Sequence, residues 1–159
     1  MILHIAYRHD WEAALLTGDY RANTLTSEGF IHCSTPEQVL GPANALYAGQ
    51  TDLVLLVIDP PRLTADLVYE DCYEAGQAFP HIYGPLNLEA VEEVIPFAAG
   101  VSGIFTLPLE LEQLIAERET RFTVIDRPRK KLPDVSEDQV LEDVTAAIEQ
   151  LRAAQKKTG

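Results

Sequence analysis

The sequence feature that most constrains the fold is an unbroken run of six apolar residues, Leu53–Ile58. Its length suits a β-strand, and a strand that is apolar on both faces must be covered on both sides. Asp59, Pro60 and Pro61 follow directly and end the run, because proline cannot donate to a strand ladder. We therefore predict that this run is an internal strand of a sheet buried on both faces.

The segments around this strand predict an α+β domain with short helices. A helix is predicted over residues 11–17, capped by Asp10 and ended by Gly18. A second is predicted from a capping box at Thr35 and Gln38 to about residue 47, and Pro42 should kink or divide it. The other predicted elements are strands at 2–7, 29–34, 67–71, 79–83, 92–97 and 103–107, and a helical turn at 88–91.

The composition changes after Pro108, which predicts a C-terminal extension. Residues 109–118 have the apolar spacing of a short amphipathic helix, and residues 127–133 form a basic linker bounded by prolines. A capping box at Ser136 and Gln139 begins a longer helix that runs to about residue 155. A lone helix of this length is marginal in water, so it should dock on the domain, on a second copy or on another partner. We therefore predict a domain at 1–108, a helical extension at 109–159, and homodimer formation through the extension.

The charge is unevenly distributed along the chain. Residues 1–108 contain three arginines and fourteen carboxylates, and they carry most of the net charge of −13. An acidic domain argues against non-specific binding to nucleic acid, which requires many cations to neutralise phosphates. The first lysine is Lys130, so a lysine nucleophile or Schiff base is excluded from the front domain.

The sequence also predicts a cytoplasmic protein without a membrane partner. No apolar run approaches the roughly 20 residues that span a bilayer. The first predicted strand begins after one residue, which leaves no room for a signal peptide. Cys33 and Cys72 have no disulfide or metal-site spacing and suit a reducing compartment.

Three histidines lie in segments that read as strands: His4, His32 and His81. An imidazole in an apolar strand needs partners for its ring nitrogens, and any one of these rings taken alone is best explained as a core group bonded to a backbone carbonyl. If the three strands share one sheet, the rings come together and form a polar ligand pocket with the nearby hydroxyls of Ser34 and Tyr83. Three imidazoles can ligate zinc, but no two are three or four residues apart, and we predict no metal.

Three other sets of residues are weaker candidates for a catalytic or metal-binding role. Cys33 points to the opposite strand face from His32, so it is predicted to be a buried structural thiol. Ser34 shares the face of His32 but lies about 7 Å farther along the strand, too far for direct activation. The carboxylates of Glu70, Asp71 and Glu74 can supply a general base or metal ligand, or form a solvated strand end.

Several motifs together resemble domain-of-unknown-function family 952. In chain order they are Leu-His-Ile at 3–5, Trp11, Ala14, Gly-Asp-Tyr at 18–20, Glu-Gly-Phe-Ile-His-Cys-Ser at 28–34, Gln38, Ala-Asn at 43–44, Tyr47 and Phe-Pro-His-Ile-Tyr-Gly-Pro-Leu-Asn at 79–87. The segment at 103–108 looks like the closing strand of that family. The resemblance covers residues 1 to about 108, and everything beyond looks like an addition.

That family is grouped by remote similarity with the ADP-ribosyltransferase-like fold. In this fold a split mixed β-sheet with short flanking helices binds NAD in a cleft. The resemblance therefore implies NAD as the cofactor. It implies these site residues: His4, Ser34, Tyr83 and Asn44 for cofactor binding, and His32 and His81 for catalysis. The usual transferase glutamate has no clear counterpart, since Glu89 follows the third motif in a predicted turn.

Three functional classes remain open from the sequence. The leading hypothesis is an ADP-ribosyltransferase-like enzyme, a transferase or related hydrolase, that binds NAD or an ADP-ribosylated molecule. The alternative is a non-catalytic module that binds or senses a small molecule. The third is an interaction protein that acts through the C-terminal helix.

Overall fold

A computed structural model of the chain describes residues 1–72, 74 and 76–125. The chain divides into two compact units, Met1–Arg118 and Glu119–Gly159. The described part of the second unit, residues 119–125, belongs to the end of a helix. The predicted linker at 127–133 and the predicted helix at 136–155, with its dimer contact, lie outside the described residues.

The central sheet has three antiparallel strands in the order β1-β4-β8. They are β1 (Ile2–Tyr7), β4 (Leu53–Ile58) and β8 (Val91–Phe97). β4 lies between the other two, and all six of its residues are buried. This confirms the prediction of an internal strand, because its apolar residues on both faces require cover on both sides.

A second sheet has the order β3-β6-β5 and carries the site residues. Its strands are β3 (Ile31–His32), β5 (Asp66–Glu70) and β6 (Phe79–Tyr83). The backbone of Ser34 pairs with that of Leu3, so the chain leaving β3 links this sheet to β1. A two-stranded ladder joins β2 (Asp19–Tyr20) to β7 (Leu86–Asn87).

The helices are short, as the sequence predicts, except that the one predicted at 109–118 extends to Ile125. They are α1 (Arg8–Thr17), α2 (Asn23–Ser27), α3 (Leu40–Leu46) and α4 (Leu109–Ile125), with 3₁₀ turns at Pro60–Arg62 and Leu88–Ala90. Gly18 ends α1 with a φ of 94°, a left-handed conformation that favours glycine. The predicted stop of this helix is therefore confirmed.

Two apolar clusters cover the two faces of the central sheet. Val54, Leu56 and Ile58 belong to the first, which also contains residues of α1 and of the second sheet. Leu53, Leu55 and Val57 belong to the other cluster, which also contains residues of α3 and α4. The alternation of side chains along β4 thus divides its residues between the two cores.

The predicted strand at 103–107 is wrong. Residues 104–107 have no regular secondary structure, and the segment is held instead by the side chain of Asn44. Its amide oxygen accepts a hydrogen bond from the N–H of Phe105 at 2.8 Å, and its amide nitrogen donates to the Phe105 carbonyl at 3.3 Å. Phe105 itself is 1% exposed. Phe105 can therefore be buried without a strand partner, because the side chain of Asn44 satisfies its backbone.

Two helix starts also differ from the predictions. The helix predicted to begin after an Asp10 cap begins at Arg8, which places Asp10 in its first turn. One of the two bonds of the predicted capping box forms, since the Thr35 N–H donates to the Gln38 side chain at 3.0 Å. The α-helix that follows begins only at Leu40, and Pro42 therefore lies in its first turn, where a missing N–H costs no intrahelical bond.

The strand pairs of the described chain are antiparallel, whereas a mixed sheet was expected from the family resemblance. Alternation along a strand shows which residues share a face, but it does not give the direction of the neighbouring strand.

The first turns of α4 pack into the second core cluster, where Leu111 is fully buried.

Candidate functional site

The pairing of β3 with β6 places two imidazoles side by side. His32 lies directly opposite His81 in the antiparallel register, and their ring centroids are 5.0 Å apart at an interplanar angle of 89°. The ring of Phe30 stacks on His81 at 4.3 Å and meets His32 edge-on at 4.9 Å. We call the group formed by these three residues with Glu28, Glu70 and Tyr83 the histidine-pair site.

A carboxylate from β5 completes one side of this site. The Oε1 atom of Glu70 accepts a hydrogen bond from the Tyr83 hydroxyl at 2.6 Å and one from His81 Nδ1 at 3.1 Å. These two donors, Tyr83 first, hold the pKa of Glu70 below its usual value. The same bond to the carboxylate raises the pKa of Tyr83 to about 12. Glu70 is therefore ionised near neutral pH, and Tyr83 keeps its proton.

The imidazole of His32 also lies next to a carboxylate. His32 Nε2 lies 3.1 Å from Oε2 of Glu28, which is four residues earlier in the chain. The side chain of His32 is 33% exposed, whereas that of His81 is 2% exposed. A half-buried imidazole next to a carboxylate can exchange protons with a bound molecule. The buried imidazole of His81 instead donates to Glu70 and fixes its position.

His4 lies apart from the two paired rings. Its Nδ1 donates to the backbone carbonyl of His32 at 2.6 Å, and its Nε2 accepts from the Tyr20 hydroxyl at 2.9 Å. Burial lowers the pKa of His4 to about 4, so the ring is neutral at pH 7. Both ring nitrogens thus have protein partners, and His4 supports the β3 backbone at the point where His32 is attached.

A thiol also approaches the site. Cys72 Sγ lies 3.6 Å from His81 Nδ1, and Glu70 is the third member of this cluster. Desolvation and then the neighbouring Glu70 raise the pKa of Cys72, so the thiol is not activated as a nucleophile. Cys33 is buried, which raises its pKa strongly. Its burial agrees with the structural role predicted for it.

The remaining predicted site residues lie at the edges of this arrangement. Ser34 is 6% exposed, and its backbone pairs with Leu3. The amide of Asn44 holds the Phe105 segment, and Tyr83 belongs to the histidine-pair site. The structure therefore brings His32, His81 and Tyr83 together and leaves His4 and Asn44 bonded elsewhere in the protein. The roles of all these residues in binding and catalysis stay predictions.

Sequence reasoning gave too little weight to three residues of the site: Glu70, Glu28 and Phe30. Glu70 lies on the strand next to β6, two residues beyond Val68, the register partner of His81. Diagonal neighbours of this kind are within reach of long side chains. The signal that identifies it is therefore the register of β5 against β6, which the sequence does not give.

The fold and the site define a class of protein: an α+β domain built from several small antiparallel sheets and short helices, with a histidine pair between two carboxylates. The chain belongs to the family described as Protein of unknown function (DUF952), whose model matches residues 5–94. The family resemblance drawn from the motifs is thus confirmed. No curated protein matches the chain.

Three solved structures that resemble this chain belong to protein CC0527 from Caulobacter crescentus. Its crystal structure has 31% sequence identity and a TM-score of 0.62, and the match covers 72% of this chain and 97% of that one. A crystal structure of a double mutant of that protein gives 30% identity and the same TM-score and coverage. Its solution NMR structure gives 33% identity and a TM-score of 0.57 over 65% of this chain and 89% of that one.

Among the helices of the described residues, none combines the length and the apolar character needed to cross a bilayer.

Proposed function

We propose that this domain is a variant of the ADP-ribosyltransferase-like fold, and that its histidine-pair site binds the nicotinamide-ribose end of NAD or the corresponding ribose of an ADP-ribosylated molecule. The observation that carries the proposal is the adjacency of His32 and His81, 5.0 Å apart, between the carboxylates of Glu28 and Glu70. A half-buried imidazole, a phenol and an ionised carboxylate are the groups that fix and polarise a small polar ligand.

The negative charge of the domain favours binding of the nicotinamide end of NAD over binding of its phosphates. The pyridinium ring of NAD is planar and cationic, and it suits a tyrosine face flanked by carboxylates. Tyr83 is 44% exposed and hydrogen-bonded to Glu70, so its ring is held in place and accessible. The front domain is acidic, which disfavours a pyrophosphate in direct contact with the site.

The same groups can support transfer of the ADP-ribosyl unit. The bond between the ribose carbon and the nicotinamide nitrogen breaks, and its electron pair leaves with nicotinamide. Glu70 stabilises the positive charge that develops on the ribose. His32 accepts the proton of the incoming hydroxyl or water as the new bond to the ribose carbon forms. Glu70 is proposed here as the carboxylate that the sequence motifs left unassigned, and His81 acts as its positioning residue.

Isothermal titration calorimetry of the full chain tests this proposal. In the presence of a chelator, NAD and nicotinamide mononucleotide should bind more tightly than ADP-ribose, because the site is proposed to contact the cationic ring. Glu70→Gln should weaken NAD binding by at least about tenfold, since it removes a charge-assisted contact.

The matched control is Glu89→Gln on the 3₁₀ turn after β7, where the carboxylate contacts Asn87. This change should leave the affinity for NAD unaltered. Absence of heat at millimolar concentrations of all three ligands, with a protein that circular dichroism shows to be folded, would overturn the proposal.

A non-catalytic binding module is the second candidate function. It is favoured by the protein partners of the imidazoles, since both nitrogens of His4 and Nδ1 of His81 are already bonded within the protein. Native mass spectrometry of gently purified protein should then show a retained small molecule. A spectrum of protein alone, together with measurable turnover of NAD, would eliminate this candidate.

A further inference from the structure

We propose that Glu70, Cys72 and His81 form a binding site for a divalent transition metal, with Zn²⁺ as the ion that fits best. The inference is independent of nucleotide binding, although the two sites share Glu70 and His81. One carboxylate oxygen, one thiol sulfur and one imidazole nitrogen, supplied by these residues, lie within 4.8 Å of one another.

Two of the distances between these atoms are close to those of a tetrahedral zinc site. With bonds of about 2.3 Å to sulfur and about 2.0 Å to nitrogen or oxygen, a tetrahedron has edges of about 3.5 Å from nitrogen to sulfur and about 3.3 Å from nitrogen to oxygen. The structure has 3.6 Å between His81 Nδ1 and Cys72 Sγ, and 3.1 Å between His81 Nδ1 and Glu70 Oε1. These two edges fit one ion, and the third pair of donors, Cys72 Sγ and the Glu70 carboxylate, lies within 4.8 Å.

The surroundings fix these donors as they do in metal sites. The Tyr83 hydroxyl orients the Glu70 carboxylate at 2.6 Å, and the ring of Phe30 packs flat against the His81 imidazole. Asp71, the residue before Cys72, accepts a hydrogen bond from the N–H of Gly76 at 2.8 Å. Partners of this kind hold ligands in position and strengthen metal binding.

The donor set selects the metal. A thiolate and an imidazole favour Zn²⁺ over Mg²⁺ or Ca²⁺, which take oxygen ligands. Three protein donors from the described residues leave one position of a tetrahedral ion for water or a small ligand, the arrangement found in zinc sites that bind or activate a molecule.

Titration of the full chain with Co²⁺, a spectroscopic substitute for Zn²⁺, tests the inference without any nucleotide. One equivalent should produce the near-ultraviolet thiolate-to-cobalt charge-transfer band, and Zn²⁺ should abolish this band by displacement. Cys72→Ser should eliminate the band, and because Cys72 is exposed this variant should fold. Tyr83→Phe should weaken metal binding by about tenfold or more, since it removes the bond that orients Glu70.

Cys33→Ser is the matched control, because Cys33 is a buried thiol outside the cluster, and the band should persist in this variant. Absence of the band in the wild-type protein, or its persistence in Cys72→Ser, would overturn the metal site. Calorimetry with NAD in the presence of a chelator is a separate measurement. Failure of the metal site is therefore distinguishable from failure of the proposed NAD binding.

Discussion

Acidification from pH 7 to pH 4 is expected to lower the free energy of unfolding by about 3 kcal/mol through His4 alone. The pKa of this ring is about 4 in the folded protein and 6.5 in an exposed chain. Below pH 6.5 the unfolded chain therefore binds a proton that the folded protein does not, and stability falls as the pH falls. The contribution is complete above pH 6.5 and is lost progressively down to about pH 4. The magnitude follows from 1.36 kcal/mol for each pKa unit, applied at pH 4 where the folded ring is half protonated.

Urea unfolding of wild type and His4→Gln at several pH values measures this effect. The variant has no imidazole at position 4, so its stability should decline less between pH 7 and pH 4, by about the amount assigned to His4. Carboxylates contribute equally to both proteins and cancel in the comparison. His9→Gln is the control, because His9 is 69% exposed on α1, and it should keep the wild-type slope. Equal slopes in wild type and His4→Gln would contradict the prediction.

Replacement of Phe97 by alanine should have the largest effect on stability, a loss of about 3–5 kcal/mol. Phe97 ends β8, is 1% exposed, and packs on Phe105 with ring centroids 4.7 Å apart. The substitution removes most of a buried aromatic side chain and leaves a cavity in the second core cluster. It also exposes one face of Phe105, a residue that has no strand to hold it.

Guanidinium unfolding monitored by circular dichroism would measure this loss as a lower midpoint at an unchanged denaturant slope. Val94→Ala on the same strand is the control, because Val94 is 36% exposed, and it should cost about 0.5 kcal/mol. If Phe97→Ala lowered the free energy of unfolding no more than this control, the packing described for the second core cluster around β8 would be wrong.

The sequence predicts the core of the fold well because β4 is apolar at every position. A strand of this kind has one stable environment, between two covered faces, and the structure places it there. The strand at 79–83 is likewise predictable, from alternation and from the turn residues Gly84 and Pro85 that follow it. The strand predicted at 103–107 fails because apolarity indicates burial and not strand pairing. In this segment the amide of Asn44 satisfies the backbone of Phe105.

The candidate site could be predicted only in part. Alternation places His81 and Tyr83 on one face, and the family motifs point to His32, but no local pattern shows that β3 pairs with β6. For the same reason Glu70 looks like a solvated strand end, although in the structure it receives two hydrogen bonds. The register between distant strands is a property of the whole fold, and it decides which polar groups meet.

The chain at residues 31–34 pairs with β6 through Ile31 and His32 and with β1 through Ser34. Insertion or deletion of one residue in this stretch would turn its side chains over, so that His32 would face inward and Cys33 outward. Its length is consequently fixed by geometry, whereas the surface turn at 48–52 can change length without that penalty. Variation in length among related chains should therefore concentrate in such turns and be absent from the segment that carries His32.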